Sequence, residues 1–218
     1  MFRDREDAAF RLAAALKGRA FVDPLVLAIP RGGVVTGAVL AQELGADLDV
    51  VLARKLRAPA QPELALGAVA EGGVMYLDPD LATGRPELAE YLAEERARQC
   101  GEIARRARLF RRGRPPARVA GRSVVVADDG IATGSTMIAA LRAVRGQAPR
   151  EVIVAVSVAP ADSLAEVGRW CDDVVCLIVP ETFWAVGQVY QDFRQVTDDE
   201  VIALLRTFAL AEPAAAGR

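Results

Sequence analysis

The residues from Ser123 to Met137 read SVVVADDGIATGSTM, and three chemical parts follow one another in them. The apolar run Val124 to Ala127 is a buried strand that fixes where the next residues begin. Asp128 and Asp129 stand at its exit, where two carboxylates can accept from two adjacent hydroxyls, as on a ribose. Gly130 opens the loop beyond. Ala132, Thr133, Gly134, Ser135 and Thr136 then turn backbone N–H groups and hydroxyls toward one point at a helix N-terminus, where the macrodipole adds partial positive charge. Gly134 permits close backbone approach or a positive φ. An ordinary Asp-Asp-Gly turn with Ser135 as N-cap accounts for pieces of this run. Strand, acid pair and Thr-Gly-Ser-Thr together are more specific, and they describe a site for a ribose 5-phosphate.

These residues need a scaffold, and the rest of the chain supplies one. Leu25 to Ile29 (LVLAI) is a buried strand stopped by Pro30. Pro30-Arg31-Gly32-Gly33 is a tight loop, in which a Gly pair beside an Arg suits an anion. Asp49 to Ala53 is the next strand, and Arg54 to Pro62 reads as a loop rich in Pro and basic residues, beginning with Arg54-Lys55. Leu64 to Leu77 reads as a hairpin. Further strands are predicted over Ser123–Ala127, Val152–Val158 and Val174–Val179. Helices are predicted over Phe2–Leu16, Val34–Leu44, about Pro86–Arg112, Ser135–Val144, Ala161–Trp170 and Asp198–Leu210. Buried apolar strands alternating with helices predict an α/β fold with a mostly parallel twisted sheet covered by helices on both faces. In such sheets ligands lie beyond the carboxyl ends of the strands.

Composition narrows the chemistry. Histidine is absent, so Ser–His–Asp and Cys–His catalysis and imidazole-based zinc sites are excluded. Proton transfer near neutral pH falls to a tuned carboxylate, Lys, Tyr or Cys, or to the substrate itself. A net charge of −2 argues against an extended nucleic-acid surface. The only lysines are Lys17 and Lys55, which draws attention to where each lies. Three cysteines without a CxxC pair indicate a reducing compartment. With no signal pattern and no apolar run of membrane-spanning length, a cytoplasmic protein without membrane partners is expected. The chain carries neither the GxxxxGK[ST] phosphate loop nor a GxGxxG opening its first helix.

Val124 to Thr136 (VVVADDGIATGST) resembles the phosphoribosyl pyrophosphate (PRPP) signature of type I phosphoribosyltransferases. That signature is a hydrophobic strand, two acids, two variable residues, then a small residue, Thr, Gly and Ser or Thr. The resemblance implies one phosphoribosyltransferase-like domain over residues 1–218, with a core near 20–180, a mobile loop or hairpin near 56–77 and a small variable hood near 180–212. It implies that Asp128 and Asp129 hold the ribose hydroxyls, and Mg²⁺ indirectly through those hydroxyls and water. Gly130 and Ala132–Thr136 would hold the 5-phosphate. Arg31, Gly32, Gly33, Arg54 and Lys55 would face pyrophosphate, with Arg31, Lys55 and Asp129 taking part in catalysis. Phe183 and Trp184 in the hood would stack on the base.

The implied reaction moves ribose 5-phosphate from PRPP to a nitrogenous base with release of pyrophosphate. PRPP and a nucleobase would be the partners, and a homodimer the assembly. In the family's 6-oxopurine branch the residue before Thr-Gly is an acid; Ala132 stands there instead, which disfavours hypoxanthine and guanine and matches the small residue of the adenine and uracil branches. An alternative on the same fold is a non-catalytic regulator that senses PRPP or a nucleotide, an option the Arg-rich helix 86–112 keeps open.

Overall fold

The computed structural model describes residues 1–59, 61–81 and 88–209, apart from the side chains of residues 62, 63 and 209. Five parallel strands form the main sheet: β1 (Leu25–Ala28), β2 (Asp47–Val50), β6 (Ser123–Asp128), β7 (Glu151–Val158) and β8 (Asp173–Ile178), in the order β2-β1-β6-β7-β8. β3 (Ala53–Ala58), β4 (Gln61–Ala70) and β5 (Met75–Leu77) make a separate antiparallel sheet. The helices are α1 (Arg5–Leu16), α2 (Gly32–Leu44), α3 (Ala89–Arg111), α4 (Ser135–Arg145), α5 (Ala161–Gly168) and α6 (Asp198–Ala209).

The central strands are buried over Leu25–Ala28, Ser123–Ala127 and Val152–Val158, and almost wholly apolar there, because both sheet faces are covered. Side chains alternate between faces. Val26 and Ala28 of β1, Val125 and Ala127 of β6, and Ile153 and Ala155 of β7 pack with α1, α2, α3 and α6. Leu25 and Leu27, Val124 and Val126, and Val152 and Val154 pack with α4 on the other face. Leu12 and Leu16 of α1 are fully buried, and truncating either to Ala would cost about 2–5 kcal/mol. The α/β class and the mostly parallel, doubly covered sheet are as the sequence indicates.

Two readings need correction. Arg54–Ala58 is not loop but β3, paired with β4, because Leu56 inserts into the core while its polar neighbours point outward. β2 ends at Val50 rather than Ala53; Leu52 and Glu71 exchange backbone and side-chain hydrogen bonds that carry the chain from one sheet to the other. The hairpin lies where predicted, β4 meeting β5 through Gly67–Leu77, Ala68–Tyr76 and Val69–Met75. The start of the long helix near Pro86 falls outside the described residues, as does Leu210.

The strand order defines a switch point. From β1 the chain crosses outward to β2 on one side, while β6 lies on the other and leads to β7. Loops leaving β1 and β6 therefore part in opposite directions and leave a crevice at their carboxyl ends. Pro30–Gly33 and Asp128–Thr136 are those two loops.

Candidate active site

β1 and β6 are in register up to Ala28 opposite Ala127, and the Ile29 N–H continues the ladder to the Ala127 carbonyl at 2.9 Å. The two loops thus start side by side. The Pro30–Arg31 peptide is cis, and α2 begins at Gly32. Gly33 lies so near β6 that a Cβ on it would stand 2.8 Å from the Ala127 carbonyl oxygen and 2.9 Å from Asp128 Cα. A methyl on Gly32 would overlap Asp129 Oδ2. The Gly pair is therefore required by close approach of one loop to the acids of the other.

A cleft of about 240 Å³ opens there, lined by Ile29, Pro30, Lys55, Asp128, Gly130–Gly134, Thr136, Met137 and Val186. Gly134, at φ 80°, is the N-cap of α4. Among the described residues no protein acceptor takes the N–H groups of Thr133 to Met137, the usual state of a helix first turn and the condition for holding an anion. Ser135 is buried and does not line the cleft. Two bonds fix the loop: the Ile131 N–H to the Val158 carbonyl at 2.9 Å, and Ser163 Oγ to the Ala132 carbonyl at 2.6 Å.

The acids have different surroundings. Asp128 faces the cleft, and its Oδ1 accepts the Asp129 N–H at 2.8 Å. Burial, and then the neighbouring charge of Asp129, raises its carboxyl well above the ordinary carboxylate range. Asp129 turns away and accepts from Arg5 Nε at 2.6 Å; burial raises its carboxyl too, with the Arg5 guanidinium opposing.

The basic residues also divide. Arg54 and Lys55 are consecutive in β3 and so point to opposite faces. Lys55 reaches the cleft, whereas Arg54 donates to Gln99 of α3 at 2.5 Å. Arg31 directs its guanidinium to Asp198 of α6 at 3.7 Å, outside the cleft lining. In the C-terminal segment Phe183 packs with Phe2, Val158 and Tyr190, and Trp184 is 83% exposed. That turn is tied by Gln188, whose side chain accepts from the Trp184 N–H at 2.6 Å and donates to the Thr182 carbonyl at 3.0 Å.

Sequence reasoning did not connect Arg5, Tyr190, Ser157 or Val186 with the acid turn and its cleft. Tyr190 Oη donates to the Asp129 carbonyl at 2.7 Å and lies 2.5 Å from Ser157 Oγ; Val186 lines the cleft. Arg5 sits among the charges of an amphipathic helix, and only its burial sets it apart. No local pattern marks the others.

Fold and site define a class: an α/β protein with a cleft at the switch point of a parallel sheet, lined by an acid and the N-terminus of a helix. Within that class the chain belongs to the phosphoribosyl transferase domain family, whose model matches residues 4–194, and its fold is that of the type I phosphoribosyltransferases. Two Mycobacterium tuberculosis proteins, from strains CDC 1551 / Oshkosh and H37Rv, both provisionally named phosphoribosyl transferases, are 45% identical over 208 residues, covering 94% of this chain and 46% of theirs. The chain thus spans about half the length of the curated relatives it matches. The crystal structure of TT1426 from Thermus thermophilus is 46% identical, with a TM-score of 0.82 over 95% of this chain and 98% of that one. AQ2163 from Aquifex aeolicus, 16% identical with a TM-score of 0.50 over 80% of this chain and 72% of that one, shares the fold alone. No helix among the described residues is long and apolar enough to cross a membrane.

Proposed function

We propose that this chain binds PRPP with Mg²⁺ and transfers its ribose 5-phosphate to a nitrogenous base, releasing pyrophosphate. One observation carries the reading: a single cleft is lined at once by Pro30, Lys55, Asp128, Gly130–Gly134 and Thr136. Those are a leaving-group side, a sugar-diol acid and a phosphate cradle, in the order in which the parts of PRPP are joined. The 5-phosphate lies on the N–H groups at the start of α4, with the Thr133 and Thr136 hydroxyls beside it. Asp128 accepts from the ribose diol. Asp129, held from behind by Arg5, supports the turn and reaches diol and metal indirectly.

Negative charge develops on pyrophosphate as the bond to C1 breaks. Lys55 and the Gly32–Gly33 N–H groups at the start of α2 are suited to stabilise it. Arg31 contributes through its backbone unless its side chain leaves Asp198, and Arg54 supports β3 from the opposite face. Among the described residues no three His, Cys, Asp or Glu side chains converge. Asp128, through water and the ribose hydroxyls, would hold Mg²⁺, a mode that suits this ion, and the ion would supply charge neutralisation on the leaving group. The β3–β4 hairpin that carries Lys55 acts as the closing flap that excludes water. Trp184 offers an exposed face for the base, and Phe183 braces its turn. Ala132 favours adenine- or uracil-like acceptors over 6-oxopurines. A reducing cytoplasmic setting accords with three cysteines without a disulfide, and family membership leads us to expect a homodimer.

Calorimetric titration with Mg·PRPP, followed by pyrophosphate release across a panel of bases, tests the proposal. Binding together with turnover of one base supports it. Absence of binding overturns it, and binding without turnover for any base replaces the transferase with a sensor of the same ligand.

A further inference from the structure

Arg5 stands at the first position of α1, yet its side chain is only 10% exposed. The chain ends bring it there. The Phe2 N–H donates to the Val189 carbonyl at 2.7 Å, the Gln191 N–H to the Phe2 carbonyl at 2.9 Å, and the Asp192 N–H to the Arg3 carbonyl at 2.8 Å. The N-terminal residues and the 189–192 strap thus run together across the back of the Asp128–Asp129 turn.

Arg5 then makes three contacts at once. Nε donates to Asp129 Oδ2 at 2.6 Å, Nη1 donates to the Arg194 carbonyl at 2.9 Å, and the guanidinium lies 3.9 Å from the Phe193 ring centroid. Phe193 stacks on Tyr190 at 4.9 Å and 22°. Tyr190 closes the circuit by donating to the Asp129 carbonyl at 2.7 Å. Side chain and backbone of Asp129 are thereby held from two directions by one bracket. Only a planar guanidinium can donate along two directions while stacking on a ring.

We propose that Arg5 is a positioning residue for the cleft: by holding Asp129 on the far side, it fixes the turn in the orientation that aims Asp128 at the sugar, and it couples that orientation to the C-terminal strap. Without Arg5 the Asp129 side chain would lose its ion-pair partner and two adjacent acids would stand side by side at a strand end. With one of them neutralised and oriented by Arg5, the Asp129 N–H is free to hold the Asp128 carboxylate, and that carboxylate lines the cleft. The proposal rests on the PRPP reading only for the identity of the ligand.

The test is amide hydrogen exchange and Mg·PRPP titration on Arg5→Met and Arg5→Lys in the full chain. In Arg5→Met the Asp129 and Ile131 amides should exchange about tenfold faster or more, together with Gln191 and Asp192, while β7 amides keep their wild-type rates. Affinity for Mg·PRPP should fall about tenfold, the scale of one lost charge-assisted hydrogen bond. Arg5→Lys, which keeps a charge for Asp129 but not the stack, should recover part of both. Unchanged exchange at Asp129 and Ile131, or a strap that loosens while those two amides and the affinity stay at wild type, overturns the proposal. If Arg5→Met does not fold, Phe193→Leu opens the same bracket at another link and is judged by the same amides. If the wild type binds no Mg·PRPP, the functional reading falls, and the exchange result still decides the bracket.

Discussion

Asp128 and its immediate neighbours show how little room the cleft leaves for change. Gly33 of α2 is pressed against the β6 exit, so that a methyl there would meet the Ala127 carbonyl at 2.8 Å and Asp128 Oδ1 at 2.9 Å. Neither is the flexible end of a long side chain. Gly33→Ala should therefore destabilise by about 1–3 kcal/mol in urea unfolding and weaken Mg·PRPP binding by roughly tenfold or more through displacement of Asp128. Gly101 is the control: it lies within α3, with nothing within 4 Å of a Cβ. Gly101→Ala should stabilise by about 0.5–1 kcal/mol and leave binding unchanged. Lys55 and Arg54 make a second contrast. Lys55→Ala should lower kcat/KM for PRPP by about tenfold to a hundredfold, because an electrostatic partner of the leaving group is lost. Arg54→Ala, which removes a group bonded to Gln99 on the far face, should change kcat/KM by no more than about twofold.

At the scale of elements, one buried cluster joins the two sheets. Arg111, at the end of α3, bonds Asp49 of β2 at 3.1 Å, Glu71 beside β4 at 2.6 Å and the Val50 carbonyl at 2.8 Å. Its side chain and that of Asp49 are each 8% exposed. Removing Arg111 strands the Asp49 carboxylate in the interior, so Arg111→Met should cost about 3–5 kcal/mol, read as a lower urea midpoint at an unchanged m-value. The start of α6 gives a pH test. Thr197 and Glu200 form a capping box, N–H to Oε2 at 2.8 Å and N–H to Oγ1 at 3.2 Å. The Arg194 guanidinium, and then Thr197, lower the Glu200 carboxyl from 4.5 to about 2. A depressed folded-state value means that its contribution is complete above 4.5 and is lost as pH falls toward 2. The thermal midpoint of Glu200→Gln should lie below wild type at neutral pH and converge with it across that window.

Elements of this kind explain what could be read in advance. The parallel strands were legible because burial on two faces leaves uninterrupted apolar runs such as Leu25–Ile29 and Val124–Ala127, and the cradle because its acids, glycine and hydroxyls are contiguous. β3 was not legible, since its residues Ala53–Ala58 (ARKLRA) are polar wherever the strand faces water, and polarity with a nearby Pro imitates a loop. Arg5, Tyr190 and Val186 reach the site across gaps of more than 50 residues from Asp129, a tertiary pairing that no local pattern encodes.

For the whole molecule, the site is assembled from segments spread along most of the chain: Arg5, Pro30, Lys55, Asp128–Thr136 and Val186. A ligand whose cleft is built from all of these segments binds only when the chain is folded, so its binding free energy adds to global stability. At a free concentration about a hundred times Kd, Mg·PRPP should add about 2.7 kcal/mol, which for a chain of this length is a rise in Tm of roughly 5–10 °C. Scanning calorimetry with and without Mg·PRPP measures it. Asp128→Ala should abolish most of the rise at the same ligand concentration, because the sugar loses its acid while the cradle remains. Inorganic phosphate, which fits the cradle but spans nothing else, should produce a smaller rise at the same free concentration. A rise equal to that of Mg·PRPP would mean that the cradle alone carries the affinity and that Asp128 and Lys55 do not act on the same molecule.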